Sequence, residues 1–293
     1  MKVLITGGGF LGIRLGQALS AAGHGLRYLD IAPAPLPGLD WRLGDVSSPL
    51  AVSRALEGCS HVVHLAALLT PACAADPHRG AQVNLIGTLN VFESARRSGL
   101  KHVVYASSAG VYGPDDATHP RPSTLYGTWK LACEGMARAY NAGHGIGSVA
   151  LRPFVVYGAG REVGMSAGPS LACRAAANGM DYANPFSGRT GLVYVDDVVR
   201  AFASALTPRM TGAFVFDMPG VVAAVDEFIA ELRRQVPGAA VTAQGVALPS
   251  AADIAQPDMA PVLGAQPVTS LADGITATLA ALRGGDQPGS AKL

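Results

Sequence analysis

The sequence predicts an α/β fold, with a doubly wound parallel sheet and a smaller C-terminal lobe. Short apolar runs alternate with longer amphipathic stretches from Lys2 to Phe154, an order typical of a parallel sheet with helices on both faces. The runs HVVHLAA and KHVVYA are apolar with few breaks, as expected for strands covered on both sides. Beyond residue 157 the alternation loosens, which indicates a second lobe of different construction.

The individual elements follow from the same patterns. Strands are predicted at 2–6, 25–30, 61–67, 101–108 and 147–154, and helices at 10–23, 48–58, 80–99 and 126–143. Gly23, Gly58 and Gly99 each follow a helical pattern, where glycine commonly ends a helix. The later part predicts a helix at 170–178, a strand running into a helix at 191–206, the strand AFVFDMP, the helix VDEFIAELRRQVPG and a last helix at 270–283.

Composition argues against several classes of protein. The 22 basic and 21 acidic residues give a net charge of +1, which disfavours a broad nucleic-acid-binding surface. The four cysteines are widely spaced and form no CxxC, so the pattern indicates buried thiols rather than a metal site or a disulfide framework. No stretch approaches the roughly 20 apolar residues of a membrane span, and the first apolar run, Val3–Ile5, is short for a secretory signal. We therefore expect a cytoplasmic protein with no metal, membrane or nucleic-acid partner.

A glycine-rich stretch near the N-terminus predicts a cofactor site. Gly7, Gly9 and Gly12 form G-x-G-x-x-G between the first predicted strand and the first predicted helix, which is the context of a dinucleotide-binding turn. Such glycines allow the tight turn, the approach of a pyrophosphate to the helix start, and close helix–strand packing. Asp30 ends the next strand, where a carboxylate can bind ribose hydroxyls and repel a 2′-phosphate. The sequence thus predicts a Rossmann-type domain that prefers NAD to NADP, the alternative being a turn that binds nothing.

A second group of residues predicts proton-transfer chemistry. YGTWK places Tyr126 and Lys130 four residues apart on one face of a predicted helix. A nearby ammonium lowers the pKa of a phenol, so this tyrosine could exchange a proton with an alcohol or a carbonyl. Ser107 and Ser108 end a predicted strand, at the sheet edge where ligands bind in such folds. The alternative interpretation is an exposed Tyr–Lys pair and two serines at a turn.

Together these motifs resemble the extended short-chain dehydrogenase/reductase family, in its NAD-dependent epimerase/dehydratase group. The resemblance covers nearly the whole chain. The matching pieces are the glycine fingerprint, LGDV (43–46), HLAA (64–67), VNLIGTLNV (83–91), YASSAGVYG (105–113), YGTWK (126–130), LRPFVVYG (151–158) and VYVDDVVRAF (193–202). Each is modest alone, but their shared order is specific.

The resemblance implies roles for individual residues. Ser108, Tyr126 and Lys130 would be catalytic, with Tyr126 as the acid/base. The implied cofactor contacts are Gly7, Gly9, Phe10, Leu11, Gly12, Asp30, Asp45, Val46, Leu65, Ala66, Ala67, Asn84, Tyr126, Lys130 and Pro153. The implied substrate contacts are Thr70, Ser108, Val155 and Arg189.

The resemblance and the element pattern also suggest a division of the chain. We expect an NAD(P)-binding domain at 1–156 that also receives about 190–206, a mainly substrate-binding lobe at 157–283, and a flexible tail at 284–293. Relatives dimerise through the two long helices, here 80–98 and 126–142, so a homodimer is expected.

The chain departs from the resembled family at several positions. Val155 stands where sugar-nucleotide epimerases usually carry Asn, and valine cannot donate a hydrogen bond to a diphosphate. Arg161, Arg174 and Arg189 could supply anion contacts instead, or could be solvated surface side chains. Trp129 replaces a small residue before the lysine, and we expect it to pack in the core.

The favoured hypothesis is an NAD(P)-dependent oxidoreductase that interconverts a secondary alcohol and a ketone. Its expected small-molecule substrate is a sugar, polyol, sugar acid or similar hydroxy compound. The first alternative is a nucleotide-sugar epimerase or dehydratase that retains NAD. The second is a non-catalytic protein that senses NAD(H), which the complete set of Ser108, Tyr126 and Lys130 disfavours.

Overall fold

A computed structural model describes residues 1–284. In chain order the strands are β1 (Lys2–Thr6), β2 (Gly25–Asp30), β3 (Trp41–Leu43), β4 (His61–His64), β5 (His102–Ala106), β6 (Gly147–Pro153), β7 (Val155–Tyr157), β8 (Tyr182–Asn184), β9 (Arg189–Tyr194), β10 (Ala213–Met218), β11 (Val221–Ala224) and β12 (Val241–Ala243). The α-helices are α1 (Phe10–Ala21), α2 (Pro49–Leu56), α3 (Thr70–Ala75), α4 (Pro77–Ala81), α5 (Gly87–Arg97), α6 (Leu125–His144), α7 (Gly168–Ala177), α8 (Val195–Ala205), α9 (Val225–Gln235), α10 (Ala260–Leu263) and α11 (Leu271–Arg283). The predicted tail, apart from Gly284, lies outside the described residues.

The main sheet has the order β10-β6-β5-β4-β1-β2-β3, and its strands run parallel. Neighbouring residues of β1 belong to different core clusters: Val3 and Ile5 pack with α1 and α8, whereas Leu4 packs with α2, α5 and α6. Helices therefore cover both faces, which explains why the strand sequences are apolar throughout. The predicted doubly wound, Rossmann-type sheet is confirmed. Its strands share one carboxyl edge, where a ligand site is expected.

Local sequence signals fix the ends of the helices that matter for this edge. The Thr124 hydroxyl accepts a hydrogen bond from the Gly127 N–H at 3.1 Å and so begins α6. Gly145 ends the same helix with φ of 64°, a left-handed conformation that glycine adopts without strain. Ser48 caps α2 in the same way as Thr124 caps α6.

The strands outside the main sheet, which would form the proposed second lobe, start almost directly after β6. Strand β9 pairs with β7 and β11, and β8 pairs with β12. Helices α7, α9 and α11 pack against one another around this lobe. The buried Tyr157 ring meets the Phe228 ring edge-on, with centroids 5.2 Å apart. Because β7 follows β6 after a single residue, this lobe is built next to the carboxyl edge of the main sheet.

The structure differs from the predicted elements in several places. The short strand β3 was not predicted, and the helix expected at 80–99 is divided into α4, a single π-helical turn at Gln82–Ile86, and α5. The strand expected at 61–67 ends at His64, which leaves the following residues extended. Strand β10 pairs with β6 in the main sheet, although it lies within the span expected to form the second lobe. The division into two lobes stays a proposal.

Candidate functional site

The turn between β1 and α1 is shaped by its glycines. Gly7 has φ of +86°, and a Cβ there would lie 2.6 Å from the Ala66 nitrogen. A Cβ on Gly12 would overlap the Gly7 carbonyl oxygen, so close packing of helix and strand requires glycine. Gly9 precedes α1 and faces open space. The start of α1 is therefore accessible to an anion.

Asp30 lies beside this turn at the end of β2. Its carboxylate accepts hydrogen bonds from the Gly8 N–H at 2.6 Å and from the Ala32 N–H at 2.8 Å. The Trp41 ring covers Gly8 so closely that a Cβ would overlap it. Asp30 thus holds the glycine turn in place, and its remaining lone pairs can still accept hydrogen bonds from ribose hydroxyls.

A cleft of about 610 Å³ runs along the turn. The predicted cofactor contacts from Gly7 to Ala67 line this cleft. Asp45, one of them, accepts hydrogen bonds from the Ser47 N–H and from Arg79. Partial burial acts in the opposite sense, but these hydrogen bonds lower the pKa of Asp45. The size of the cleft, the open helix start and the carboxylates fit a dinucleotide.

Asn84 lies behind the wall of the cleft and not in it. The side chain is fully buried in the π-helical turn. Its amide accepts a hydrogen bond from the Leu68 N–H and donates one to the Leu68 carbonyl, both at 2.9 Å. Asn84 thus fixes the backbone of the wall and does not line the cleft, and its contact with the cofactor stays a prediction. Neither its amide oxygen nor its amide nitrogen reaches the cleft.

Tyr126 and Lys130 lie where α6 passes the end of β5. Tyr126 is in the first turn of the helix, next to the Thr124 cap. Lys130 is only 3% exposed, and its Nζ donates to the Ala106 carbonyl at 2.7 Å. The same Nζ lies 5.7 Å from the centre of the Tyr126 ring. The ammonium is thus anchored on the strand and held against the phenol.

The two serines at the end of β5 have different surroundings. Ser107 is buried and donates to Glu134 Oε1 at 2.5 Å. Ser108 is half-buried, and its oxygen accepts the Gly110 N–H at 3.0 Å. Within residues 1–284 the Ser108 hydroxyl proton has no acceptor. Ser108 can therefore donate to a ligand oxygen, whereas Ser107 is committed to the protein interior.

A smaller cavity of about 130 Å³ lies beside Ser108 and Tyr126. Two of the predicted substrate contacts, Thr70 and Val155, line it. Pro153, which was predicted to contact the cofactor, lines this cavity rather than the larger cleft. Pro153 and Val155 form an apolar part of the cavity wall, so hydrogen bonds to a substrate must come from other residues that line it.

The three arginines suggested as anion contacts lie in different places. Arg161 lines the large cleft and forms no ion pair within the described part of the chain. Arg174 pairs with Glu162 at 2.6 Å. Arg189 has a side chain that is 53% exposed and pairs with Asp253 at 3.3 Å. Arg189 does not line the small cavity, so the structure does not bring this predicted substrate contact to the site.

A buried polar network below the site was not predicted. Arg152 donates to both carboxylate oxygens of Glu134, at 2.8 and 2.6 Å, and to the Tyr112 hydroxyl at 2.7 Å. The Tyr112 hydroxyl donates to Asp217 at 3.0 Å, and Ser107 also donates to Glu134. Burial opposes the charge, but the contacts with Glu134 raise the pKa of Arg152. The network joins β5, β6, β10 and α6 directly beneath the catalytic candidates.

His64 is a second buried polar side chain near the site. The Thr88 hydroxyl donates to the Asn84 carbonyl at 2.7 Å, so it can only accept from His64 Nε2, which lies 3.0 Å away. His64 Nδ1 then accepts from the Thr6 hydroxyl at 2.6 Å. Burial lowers the pKa of His64 to about 3. His64 is therefore a neutral structural link between β1, β4 and α5.

The four cysteines are buried and free, which confirms the prediction of buried thiols. In residues 1–284, no group of three or more His, Cys, Asp or Glu is arranged to hold a metal ion. No helix in this part of the chain is both long enough and apolar enough to cross a membrane.

Comparison with known proteins places these features in context. Residues 3–213 match the family described as NAD dependent epimerase/dehydratase. D-erythronate dehydrogenase of Haemophilus influenzae is 28% identical over 265 residues, which cover 82% of this chain and 84% of that protein. A 3 beta-hydroxysteroid dehydrogenase/Delta 5→4-isomerase of Mycobacterium tuberculosis is 33% identical over 179 residues, or 55% of this chain. The match spans about half of that mycobacterial protein, at 48% of its length.

Solved structures show the same architecture. MoeE5 in complex with UDP-glucose and NAD has a TM-score of 0.84 and 28% identity, covering 98% of this chain and all of that one. The UDP-glucose 4-epimerase of Thermus thermophilus in complex with NAD has a TM-score of 0.81 and 26% identity, covering 97% of this chain and 99% of that one. A partial-consensus L-threonine 3-dehydrogenase has a TM-score of 0.90 at 23% identity over 97% of this chain and all of that one, a likeness of fold.

Proposed function

The chain belongs to the NAD-dependent epimerase/dehydratase family, and we propose that it is a net dehydrogenase of a small secondary alcohol. The observation that carries the proposal is the small cavity beside Ser108 and Tyr126, which at about 130 Å³ has roughly one-fifth of the 610 Å³ of the cofactor cleft. A small sugar, polyol, sugar acid or similar hydroxy compound suits this volume. A nucleotide sugar needs a pocket of several hundred Å³.

Tyr126, Ser108 and Lys130 would each have a separate role in the proposed reaction. When bound, NAD supplies the hydride acceptor at its nicotinamide ring. Tyr126 Oη takes the proton of the substrate hydroxyl, and the Ser108 hydroxyl donates a hydrogen bond to the same substrate oxygen. Lys130, anchored on the Ala106 carbonyl, holds its ammonium 5.7 Å from the centre of the Tyr126 ring, close to the group that takes the proton. In the reverse direction Tyr126 returns the proton to the carbonyl oxygen.

A nucleotide-sugar epimerase or dehydratase is the second candidate. The likeness to two structures that bind UDP-glucose or NAD, at 28% and 26% identity, favours it. Val155 in the small cavity and the surface position of Arg189 count against it, because neither offers a hydrogen bond to a diphosphate from inside the site. A sensor of NAD(H) without catalysis is the third candidate.

Cofactor retention distinguishes these candidates. The purified protein is denatured, and any released dinucleotide is identified and quantified. Protein that is empty, binds added NAD and forms NADH with a hydroxy compound would support the dehydrogenase. Near-stoichiometric NAD together with conversion of a nucleotide sugar, without net NADH, would overturn it in favour of the epimerase. NAD binding without turnover of any compound would indicate the sensor.

We further propose a homodimer formed through α5 and α6. The outward positions Ile86 and Leu89 are 42% and 36% exposed, which is unusual enough for apolar side chains on neighbouring turns to suggest a covered surface. Light scattering of the purified protein tests this, and a monomer at micromolar concentration would contradict it. The cytoplasmic location stays a prediction from the sequence.

A further inference from the structure

We propose that Arg161 binds the carboxylate of the substrate, so that this enzyme acts on short hydroxy acids in preference to neutral polyols. The inference rests on the proposed dehydrogenase function and names its substrate class.

Arg161 lies in the loop between β7 and α7, and this loop borders both cavities. The residue lines the cofactor cleft. Its Nη2 donates to the Ser166 hydroxyl at 2.9 Å, and Ser166 lines the small cavity together with Tyr126. The guanidinium therefore lies at the border between the cofactor cleft and the substrate cavity.

The charge of this guanidinium is not balanced by the protein. Within the part of the chain that the structure describes, Arg161 forms no ion pair, and its buried Nε has no hydrogen-bond acceptor. Burial lowers the pKa of Arg161, with Tyr126 acting in the opposite sense, but a guanidinium stays protonated in proteins. A half-buried charge without a counter-ion is partly desolvated, which is unfavourable in the free protein. An anionic ligand explains why this side chain is kept there.

Two anions could meet Arg161, namely the cofactor pyrophosphate and a substrate carboxylate. The start of α1 at Gly9 already offers the pyrophosphate its own site. Arg161 has its electrostatic neighbour in Tyr126 and its hydrogen-bond partner in Ser166, and both of these residues line the small cavity. The arrangement therefore favours the anion that accompanies the reacting hydroxyl.

The size of the cavity and the shape of a guanidinium define the substrate class. A volume of about 130 Å³ admits a chain of only a few carbons. Arginine binds a carboxylate through two parallel N–H···O bonds, and the Nη1 group of Arg161, which has no acceptor among the described residues, is one of the donors that such a pair needs. The expected reaction moves a hydride from the carbinol carbon to NAD and the hydroxyl proton to Tyr126, which yields an oxo acid and NADH.

Binding to a catalytically silent protein tests the inference without relying on turnover. Glycerate and erythronate are titrated calorimetrically into the NAD-loaded Tyr126→Phe variant, with glycerol and erythritol as uncharged counterparts. When Arg161→Gln is added to this variant, the Kd for the acids should rise by about 100-fold, which is the usual loss of affinity when a hydrogen bond to a charged group is removed. The Kd for the polyols should change less than about threefold because they carry no charge. The Kd for NAD should change as little, because its pyrophosphate is expected at the start of α1.

Matched controls separate recognition from a general effect of charge. Arg161→Lys keeps the charge but loses the planar fork, and should weaken binding of the acids by about tenfold. Arg174→Gln removes a cation in the following helix that already pairs with Glu162, and should leave all four Kd values unchanged.

The outcomes are distinguishable. Equal affinity for acids and polyols, or no binding of the acids at all, would overturn the inference. A selective loss of NAD affinity in Arg161→Gln would also overturn it, since the guanidinium would then hold the pyrophosphate. If the protein with Tyr126 intact turns over none of these compounds but still binds the acids through Arg161, the dehydrogenase proposal fails while the anion site stands.

Discussion

Two arginines, the buried Arg152 and the half-buried Arg161, lie close to the catalytic candidates, and they differ in what surrounds them. Arg152 makes a two-pronged ion pair with Glu134 and a further one with Asp217 at 3.3 Å. Arg161 has a serine hydroxyl as its hydrogen-bond partner and no carboxylate within the described residues. The first charge is neutralised by the chain itself, and the second is not.

This difference separates structural from ligand-binding positions. A charge whose counter-ions come from the same chain stabilises one arrangement of strands and helices, because removing either partner leaves the other buried and unpaired. A charge without such counter-ions destabilises the free protein and is useful only when a ligand supplies the anion. The Arg152 network and the walls of the two cavities should therefore respond to mutation in opposite ways.

The largest expected effect comes from a change at Tyr126, in the wall of the small cavity. Tyr126→Phe should lower kcat by about 10³- to 10⁴-fold, because it removes the proton acceptor. The unfolding free energy should stay nearly the same, since Tyr126 belongs to a cavity wall. NADH formation and urea denaturation of the same preparation check both statements. Retained activity would show that the proton moves through another group.

The next largest effect is expected in the buried network around Arg152. Arg152→Met leaves Glu134 and Asp217 buried without their cation, and should lower the unfolding free energy by about 3–5 kcal/mol. Urea denaturation measures the change. Arg174→Met is the matched control. Its ion pair with Glu162 is exposed to solvent, so it should contribute less than about 1 kcal/mol to the unfolding free energy. Similar losses in both variants would mean that the buried network is not what stabilises this edge of the sheet.

His64 extends the comparison, because it is a buried side chain that stays uncharged in the folded protein. The pKa of His64 is lowered from 6.5 to about 3 in the folded protein. Below pH 6.5 the unfolded chain therefore binds a proton that the folded chain does not, so stability falls as the pH drops. Below pH 6.5, His64 should make the unfolding free energy fall by up to about 1.4 kcal/mol per pH unit. Above pH 7 this effect should be absent.

Urea denaturation between pH 5 and 8 checks this prediction. His64→Gln should show a shallower loss of stability on the acid side than the wild type. His119→Gln, at a side chain that is 73% exposed, should keep the wild-type slope. An unchanged slope in His64→Gln would mean that other groups cause the acid sensitivity.

The smallest expected effect has the opposite sign. Arg161→Met should raise the unfolding free energy of the NAD-free protein by about 1 kcal/mol, because it replaces a half-buried charge that has no counter-ion with an apolar chain of similar length. Denaturation with and without NAD and erythronate separates the free from the liganded protein. A loss of stability in the free protein would show that Arg161 has a structural partner after all.

Sequence patterns predicted the repeated strand–helix architecture and the glycine turn, because these depend on local periodicity and spacing. They missed β3, whose three residues are too few to show a period. They also missed the interruption of the long helix at Asn84, since the side chain bonds to a backbone segment 16 residues away. The pairing of β10 with β6 and the opposite surroundings of Arg152 and Arg161 depend on contacts across the fold, which no single stretch of sequence encodes.

The contact between Trp41 and the glycine turn has a practical consequence. The chain has two tryptophans. Trp41 stacks on Tyr28 with ring centroids 5.2 Å apart and covers Gly8, whereas Trp129 packs on Gly80. An indole fixed against the cofactor turn is a natural fluorophore for the arrival of a dinucleotide. Emission from Trp41, isolated by replacing Trp129 with phenylalanine, would report occupancy of the cleft in real time and without a label.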